Sequence, residues 1–323
     1  MKKVIYFVFL NILYSTLCFS ATPAWKLNLE KEFPSEKYVR AVGQGITEAI
    51  AKKAALAELS GYFSQTIATE QESYRQISQS RNSYKNNSAL RESVIVHSDT
   101  ELFCVRYTDA WTEPESRKVF VCAYIDRKDA WELITQKIKN LADSCGRLSK
   151  LADKEKEPFR KLLILTKVKS FYSEYSRLYE KATVLFPKRI EGFSVFIKKM
   201  DGYMNDLILL KSSVSMQVKV SGDKGNSIYT KISELLTQAG FMISQNGQYL
   251  LSAFINWNES KLNEVYSAYP NIKTVIRGNE QTYASFFGEC EKVASYNQAS
   301  MQRSAIFRLE ELLEERFIKE CFE

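Results

Sequence analysis

The sequence predicts an α+β fold built as two small modules joined by an all-helical segment. Three observations carry that prediction. Strand-like alternation is confined to the two ends of the chain, over residues 37–125 and 214–287. Helical spacing with almost no strand signal fills residues 127–210, and turn-forming residues cluster where one pattern gives way to the other. A length of 323 residues accommodates about two domains, each able to bury its own core. The expected organisation is a leader at 1–20, a first α+β module at 35–126, a helical segment at 127–212 and a second α+β module at 213–323.

In order along the chain, a polar stretch runs to Pro34, and residues 37–43 alternate as a strand. Gly43 and Gly45 read as a turn that requires positive φ. Thr47 is a suitable N-cap and Glu48 suits a first helical turn, and apolar residues recur at Ala49, Leu56, Leu59, Phe63 and Ile67. These predict a helix from 47 to about 75, with the small row Ile50, Ala54, Ala57 and Gly61 set closely against a sheet. Residues 76–89 are polar enough for a loop. Residues 91–112 and 118–125 read as a long hairpin broken at Glu113-Pro114-Glu115-Ser116, completing a β-α-β-β order.

Three helices fit residues 127–210, with apolar stripes through Ala130, Ile134 and Ile138, through Leu162, Leu165, Val168, Tyr175 and Leu178, and through Ile197, Met200, Met204 and Leu207. Beyond Ser213 alternation resumes at Val214, Met216, Val218 and Val220, followed by a turn at 221–225 and a helix through Ile228, Ile232 and Leu236 that Gly240 ends. Strands are expected at 241–244 and 249–257. A hairpin over 272–277 and 282–287 is expected to turn at Gly278-Asn279, and a last helix carries Ala305, Leu309, Leu313 and Phe317, for an order of β-α-β-β-β-β-α.

At the N-terminus, Lys2 and Lys3 precede a short apolar run that ends in small residues, the pattern of an export signal, with cleavage expected after Ser20 or after Ala21. Lipidation of Cys18 is the competing reading, and the bulky Leu17 argues against it. Removing residues 1–20 takes away two lysines and no acid, so the net charge of +7 falls by two. Basic and acidic residues interleave, so no phosphate-tracking stripe forms and no nucleic-acid partner is expected.

The single histidine, His97, excludes multi-histidine zinc sites and leaves at most one His-dependent catalytic arrangement. On an alternating segment with no evident partner, it has no clear acid-base role. Gly43-Gln44-Gly45 lacks the third glycine of a dinucleotide loop, since Glu48 stands in its place, and 221–225 lacks phosphate-loop spacing. No catalytic residue, cofactor or metal site is therefore expected. Glu310, Glu311, Glu314 and Glu315 read as solvated ion pairs with Arg308, Arg316 and Lys319. Trp111 and Trp257 read as core or rim aromatics.

Of the six cysteines, Cys104, Cys122, Cys145, Cys290 and Cys321 follow the leader. An oxidising compartment permits Cys104 with Cys122 and Cys290 with Cys321, and burial as small hydrophobes is the equal alternative.

The runs YVRAVGQG at 38–45, AIAKKAALAEL at 49–59 and VFVCAYIDR at 119–127, with Trp111, resemble the LPP-twenty lipoprotein family and the amino-terminal domain of flagellar assembly protein T, over about residues 37–135. The second module is more loosely similar to the amino-terminal domain of the Tol-Pal translocation protein B. The resemblance implies a non-catalytic, exported, periplasmic protein that contacts other envelope proteins, at the outer membrane or around a flagellar basal body. Two alternatives stand beside it: a periplasmic binding module for an anionic or cell-wall ligand, and an envelope hydrolase.

Overall fold

The computed structural model describes residues 21–79 and 102–322. They divide into two units, one of residues through Asn140 with Tyr175–Ser194, the other of Leu141–Glu174 with Val195 onward. Each unit takes part of the segment expected to be a separate helical spacer. The mixed α+β class is as the sequence predicts.

In the first unit, β1 (Tyr38–Gly45) pairs antiparallel with β4 (Val119–Asp126), from Tyr38 opposite Asp126 to Gly45 opposite Val119. Two short strands, β2 (Arg106–Tyr107) and β3 (Trp111–Thr112), pair with the far side of β4. They are all that the described residues show of the long hairpin expected over 91–112. The break at 113–116 does form, with Arg117 N donating to Glu113 O at 3.0 Å.

The turn expected at Gly43 and Gly45 is not there. Both glycines lie within β1, and neither has positive φ. What they provide is closeness. A Cβ on Gly43 would stand 2.1 Å from Ala55 N and 2.2 Å from Ala51 O, and one on Gly45 would stand 2.6 Å from Ile50 Cγ2. Helix α3 (Glu48–Gln79) therefore lies backbone against backbone on β1. Ile50 N donates to Thr47 Oγ1, the cap the sequence predicts. Its buried stripe is Ala51, Ala55, Leu59 and Phe63, rotated from the expected rows: Ile50 and Leu56 are exposed, because the close approach at Gly43 turns Ala51 and Ala55 onto the sheet.

The other face of this sheet is covered by a segment the sequence reads only as polar. Helices α1 (Ala24–Leu27) and α2 (Leu29–Glu32) bring Trp25, Leu29 and Phe33 onto Val42, Trp111, Phe120 and Cys122. Lys26 Nζ sits 3.4 Å from the centre of the Phe120 ring, and Glu30 pairs with Arg40 of β1. A Ser35 backbone N–H, with the Ser35 hydroxyl and Arg40 in support, holds the Glu30 carboxyl below its ordinary value.

Two long helices follow, α4 (Arg127–Lys154) and α5 (Pro158–Leu185), with Gly146 inside α4. Within the first unit, Arg127 joins three stretches of chain. Its Nε donates to Ser35 O at 3.0 Å, and its Nη1 donates to Val184 O and Leu185 O at 2.9 Å, so a cation satisfies the last carbonyls of α5. Trp131 meets Phe186 edge-on at 5.4 Å just beyond that helix end.

In the second unit, a 3₁₀ helix (Pro187–Phe193) having ended in the first, helix α6 (Ser194–Ser213) leads into β5 (Ser215–Ser221). Helix α7 (Ser227–Gln238) then crosses over to β6 (Met242–Ile243) and β7 (Tyr249–Asn256), both parallel to β5. Gly222 and Gly225 turn the chain at φ +80° and +75°, and Asp223 accepts from Ile228 N and Tyr229 N at the helix start. Gly240, at φ +95°, ends α7 as predicted, with Phe241 N returning to Leu236 O.

Strands β10 (Asn271–Gly278) and β11 (Gln281–Glu289) complete the sheet in the order β11-β10-β7-β5-β6. Their turn falls one residue later than expected: Asn279 and Glu280 both adopt positive φ, the two-residue turn that matches strand twist. A three-stranded sheet that the sequence does not predict, β12-β9-β8, is formed by β8 (Ser260–Leu262), β9 (Val265–Ala268) and β12 (Val293–Ser295). Its strands are too short for alternation to register.

Helix α8 (Gln298–Phe322) buries Met301, Ala305, Leu309, Leu313, Phe317 and Cys321 at four-residue spacing into one core with α7 and the inner sheet face. Leu162, Leu165 and Phe159 of α5 join that core, and Phe159 packs on Tyr249 at 4.9 Å. Glu157 caps α5, accepting from Arg160 N at 2.7 Å through one oxygen and from the Tyr249 hydroxyl through the other. No helix among the described residues is long and apolar enough to cross a membrane.

Arg127 yields the first test. Replacing it by alanine leaves the carbonyls of Val184 and Leu185 without their cation, and the variant is expected to lose about 2–3 kcal/mol in urea unfolding, with the slope unchanged. Arg127→Lys is expected to recover only part of it, because one ammonium cannot reproduce the planar fork.

Candidate functional site

The residues singled out in the sequence do not converge on one site. His97 and Ser20 lie outside the described residues, and Ala21 is exposed. Trp111 is buried against Phe120, and Trp257 is buried with its Nε1 donating to Gly222 O at 2.7 Å, so both serve the core. Of the acidic residues of α8, Glu311 pairs with Arg308 at 3.0 Å as expected, whereas Glu314 finds its cation on α7, at Lys231, 2.7 Å away, and Arg316 pairs with Glu320. Burial raises the Glu310 carboxyl above its ordinary value. Among the described residues, no group of three or more His, Cys, Asp or Glu side chains could hold a metal ion.

The described cysteines are all free. Of the first expected pair, Cys122 has Thr108 and not Cys104 opposite it: Thr108 N donates to Cys122 O and Thr108 Oγ1 accepts from Cys122 N, both at 3.0 Å. Of the second expected pair, Cys290 is half-buried and Cys321 buried, and both are free. Burial pushes the thiols of Cys122 and Cys145 up to about 11 and that of Cys321 up to about 12. Thiols so shifted are poor nucleophiles at neutral pH.

Two surfaces of the second unit stand out instead. On the outer face of the five-stranded sheet, Lys273 of β10 lies in register with Phe254 of β7 on one side and Phe287 of β11 on the other. Both phenylalanines are about half exposed, at 54% and 53%, where an ordinary outer face would be polar.

The second surface is an open groove of about 560 Å³ between β12 and the first half of α8. Lys292, Arg303 and Arg308 line it together with Phe307, Val293 and Ala294, and no carboxylate does. Arg308 holds Glu311 with one arm, Lys292 lies 5.5 Å from the Tyr269 ring, and Phe307 is 56% exposed. Sequence reasoning missed this groove. Arg303 and Phe307 do share a helix face turned from the Met301, Ala305 and Leu309 stripe, with Arg308 at its border, but only the unpredicted β12 brings Lys292 opposite them.

No family model matches the chain, and no curated protein sequence matches it. Among solved structures it is similar to the secreted protein HP1454 of the human pathogen Helicobacter pylori, at 12% identity and TM-score 0.43 over 87% of this chain and 96% of that one. A minor lipoprotein of Acinetobacter baumannii is similar at 10% identity and TM-score 0.24, over 32% of this chain and 83% of that one. Lipoprotein GNA1162 of Neisseria meningitidis is similar at 9% identity and TM-score 0.23, over 31% of this chain and 99% of that one. Likenesses this partial carry no argument about activity.

The shifted thiols have a direct consequence. In the folded protein at pH 7, Cys122 is expected to react with iodoacetamide about a hundredfold more slowly than in urea, from the loss of thiolate alone. Mass mapping of the alkylated sites checks it, and equal rates in both conditions would contradict the burial described.

Proposed function

We propose that the chain is an exported, non-catalytic cell-envelope protein that works by contact with other proteins, its first unit of the LPP-twenty kind and its second of the kind found in the Tol-Pal translocation protein B. The observation that carries the reading is the row Phe254, Lys273 and Phe287 on the outer sheet face, two half-exposed phenylalanine rings flanking a lysine. Such a face costs solubility unless something covers it, and a partner is the usual cover. The basic and apolar run at residues 2–17 supports export. The resemblance at residues 38–45, 49–59 and 119–127 supports an outer-membrane or flagellar basal-body setting.

A second reading, a binding module for an anionic ligand, is favoured by the groove of Lys292, Arg303 and Arg308. The two readings differ in what occupies the surface.

A photo-crosslinking residue placed at Phe254 or Phe287 in cells tests the first. Adducts with one or a few envelope proteins, absent when the same residue replaces exposed Lys128, are the expected outcome. A protein recovered without adducts from either position would overturn the contact reading.

A further inference from the structure

The groove of Lys292, Arg303 and Arg308 lies beside a strand edge, and the two features fit the same occupant. Strand β12 pairs with β9 on one side only, from Val293 opposite Ala268 to Ser295 opposite Tyr266. Among the described residues, its backbone makes no hydrogen bond to a strand on the other side, and Val293 and Ala294 line the groove. A free edge of this kind is a template for an added strand.

Across the groove, α8 presents Arg303 and Arg308 five residues apart, about 7.5 Å along the helix axis. Alternate residues of an extended chain project to one side about 7 Å apart. Neither Lys292 nor Arg303 has an acidic partner among the described residues, and Arg308 keeps an arm beyond the one that holds Glu311. Phe307, between the two arginines in sequence, offers an apolar surface to the side chains between.

We infer that this groove binds an extended acidic peptide segment of a protein partner, with backbone hydrogen bonds to β12 and carboxylates at alternate positions against Arg303, Arg308 and Lys292. The inference rests on the contact reading proposed above and supplies the chemistry of what is contacted. Charge complementarity favours this occupant over an apolar segment, and the free strand edge favours it over a small anion, which would use the cations alone.

The test uses the purified chain without its leader and a fluorescein-labelled hexapeptide alternating glutamate and valine, read by fluorescence anisotropy. Saturable binding is expected that weakens with salt and falls roughly tenfold for each of Lys292→Gln and Arg303→Gln. Lys128→Gln, an exposed lysine of the first unit, is expected to change nothing. Methylating the backbone nitrogens of the peptide is expected to abolish binding, and the lysine–valine counterpart is not expected to bind.

Absence of binding by the unaltered chain would overturn the inference, as would equal binding by the groove variants. Displacement by millimolar inorganic phosphate with no effect of backbone methylation would reduce the groove to a simple anion site and overturn strand addition. Binding to phosphatidylglycerol vesicles but not to the peptide would assign the cations to a lipid surface instead. None of these outcomes bears on crosslinking at Phe254 and Phe287, so the failure of this inference is distinct from failure of the contact reading.

Discussion

The absence of two side chains organises the first unit. Because Gly43 and Gly45 carry no Cβ, the backbone of α3 at Ala51 and Ala55 reaches the backbone of β1, and the Ile50 side chain stands over Gly45. That approach fixes the rotation of α3 and so decides that Leu59 and Phe63 are buried while Leu56 and Ile50 face water. It also commits Val121, Ala123 and Ile125 of β4 to the helix side of the sheet, leaving Phe120 and Cys122 for the opposite side, where Trp25 covers them. Close packing of this kind has little slack, since interiors are as dense as organic crystals.

The second unit is organised by a more forgiving principle, a long helix with one apolar stripe laid over a mixed sheet. The four-residue repeat from Met301 to Cys321 supplies the core, and the residues off that stripe are free to do something else. On α8 they form charged pairs toward the end of the helix, at Arg316 and Glu320, and the cationic wall of the groove near its start. The tie from Glu157 to Tyr249 shows the same economy, one carboxylate serving a helix N-terminus and a sheet residue together.

Much of this was legible in the sequence, and the reasons for the exceptions are physical. Long periodic elements stood out because many residues vote for them: the three helices of 127–213, the helix after Thr47, the strands at 119–126 and 271–289. Gly43 and Gly45 read as a turn in the sequence because glycine permits positive φ as readily as it permits close approach, and sequence alone cannot separate the two uses. Trp25 is not legible in the sequence because the stretch through Pro34 forms only two four-residue helices, too short for its apolar residues to show a period. Strand β12 has three residues, too few for alternation, and the groove it helps to form joins residues from separate elements. The exposed pair Phe254 and Phe287 needed the sheet register to become neighbours. Sites assembled by register and by short strands are tertiary facts, and the one-dimensional pattern holds only their ingredients.

The most direct test of the account compares two glycine-to-alanine substitutions by urea unfolding. Gly43→Ala inserts a methyl group into backbone at 2.1 Å, whereas Gly61→Ala, within α3, meets no atom within 4 Å. The account predicts that Gly43→Ala destabilises the protein by about 3 kcal/mol or more, from overpacking that cannot relax, while Gly61→Ala stabilises it by up to about 1 kcal/mol through helix propensity. A Gly43→Ala protein as stable as the unaltered chain would contradict the backbone-to-backbone contact and the placement of α3 that depends on it.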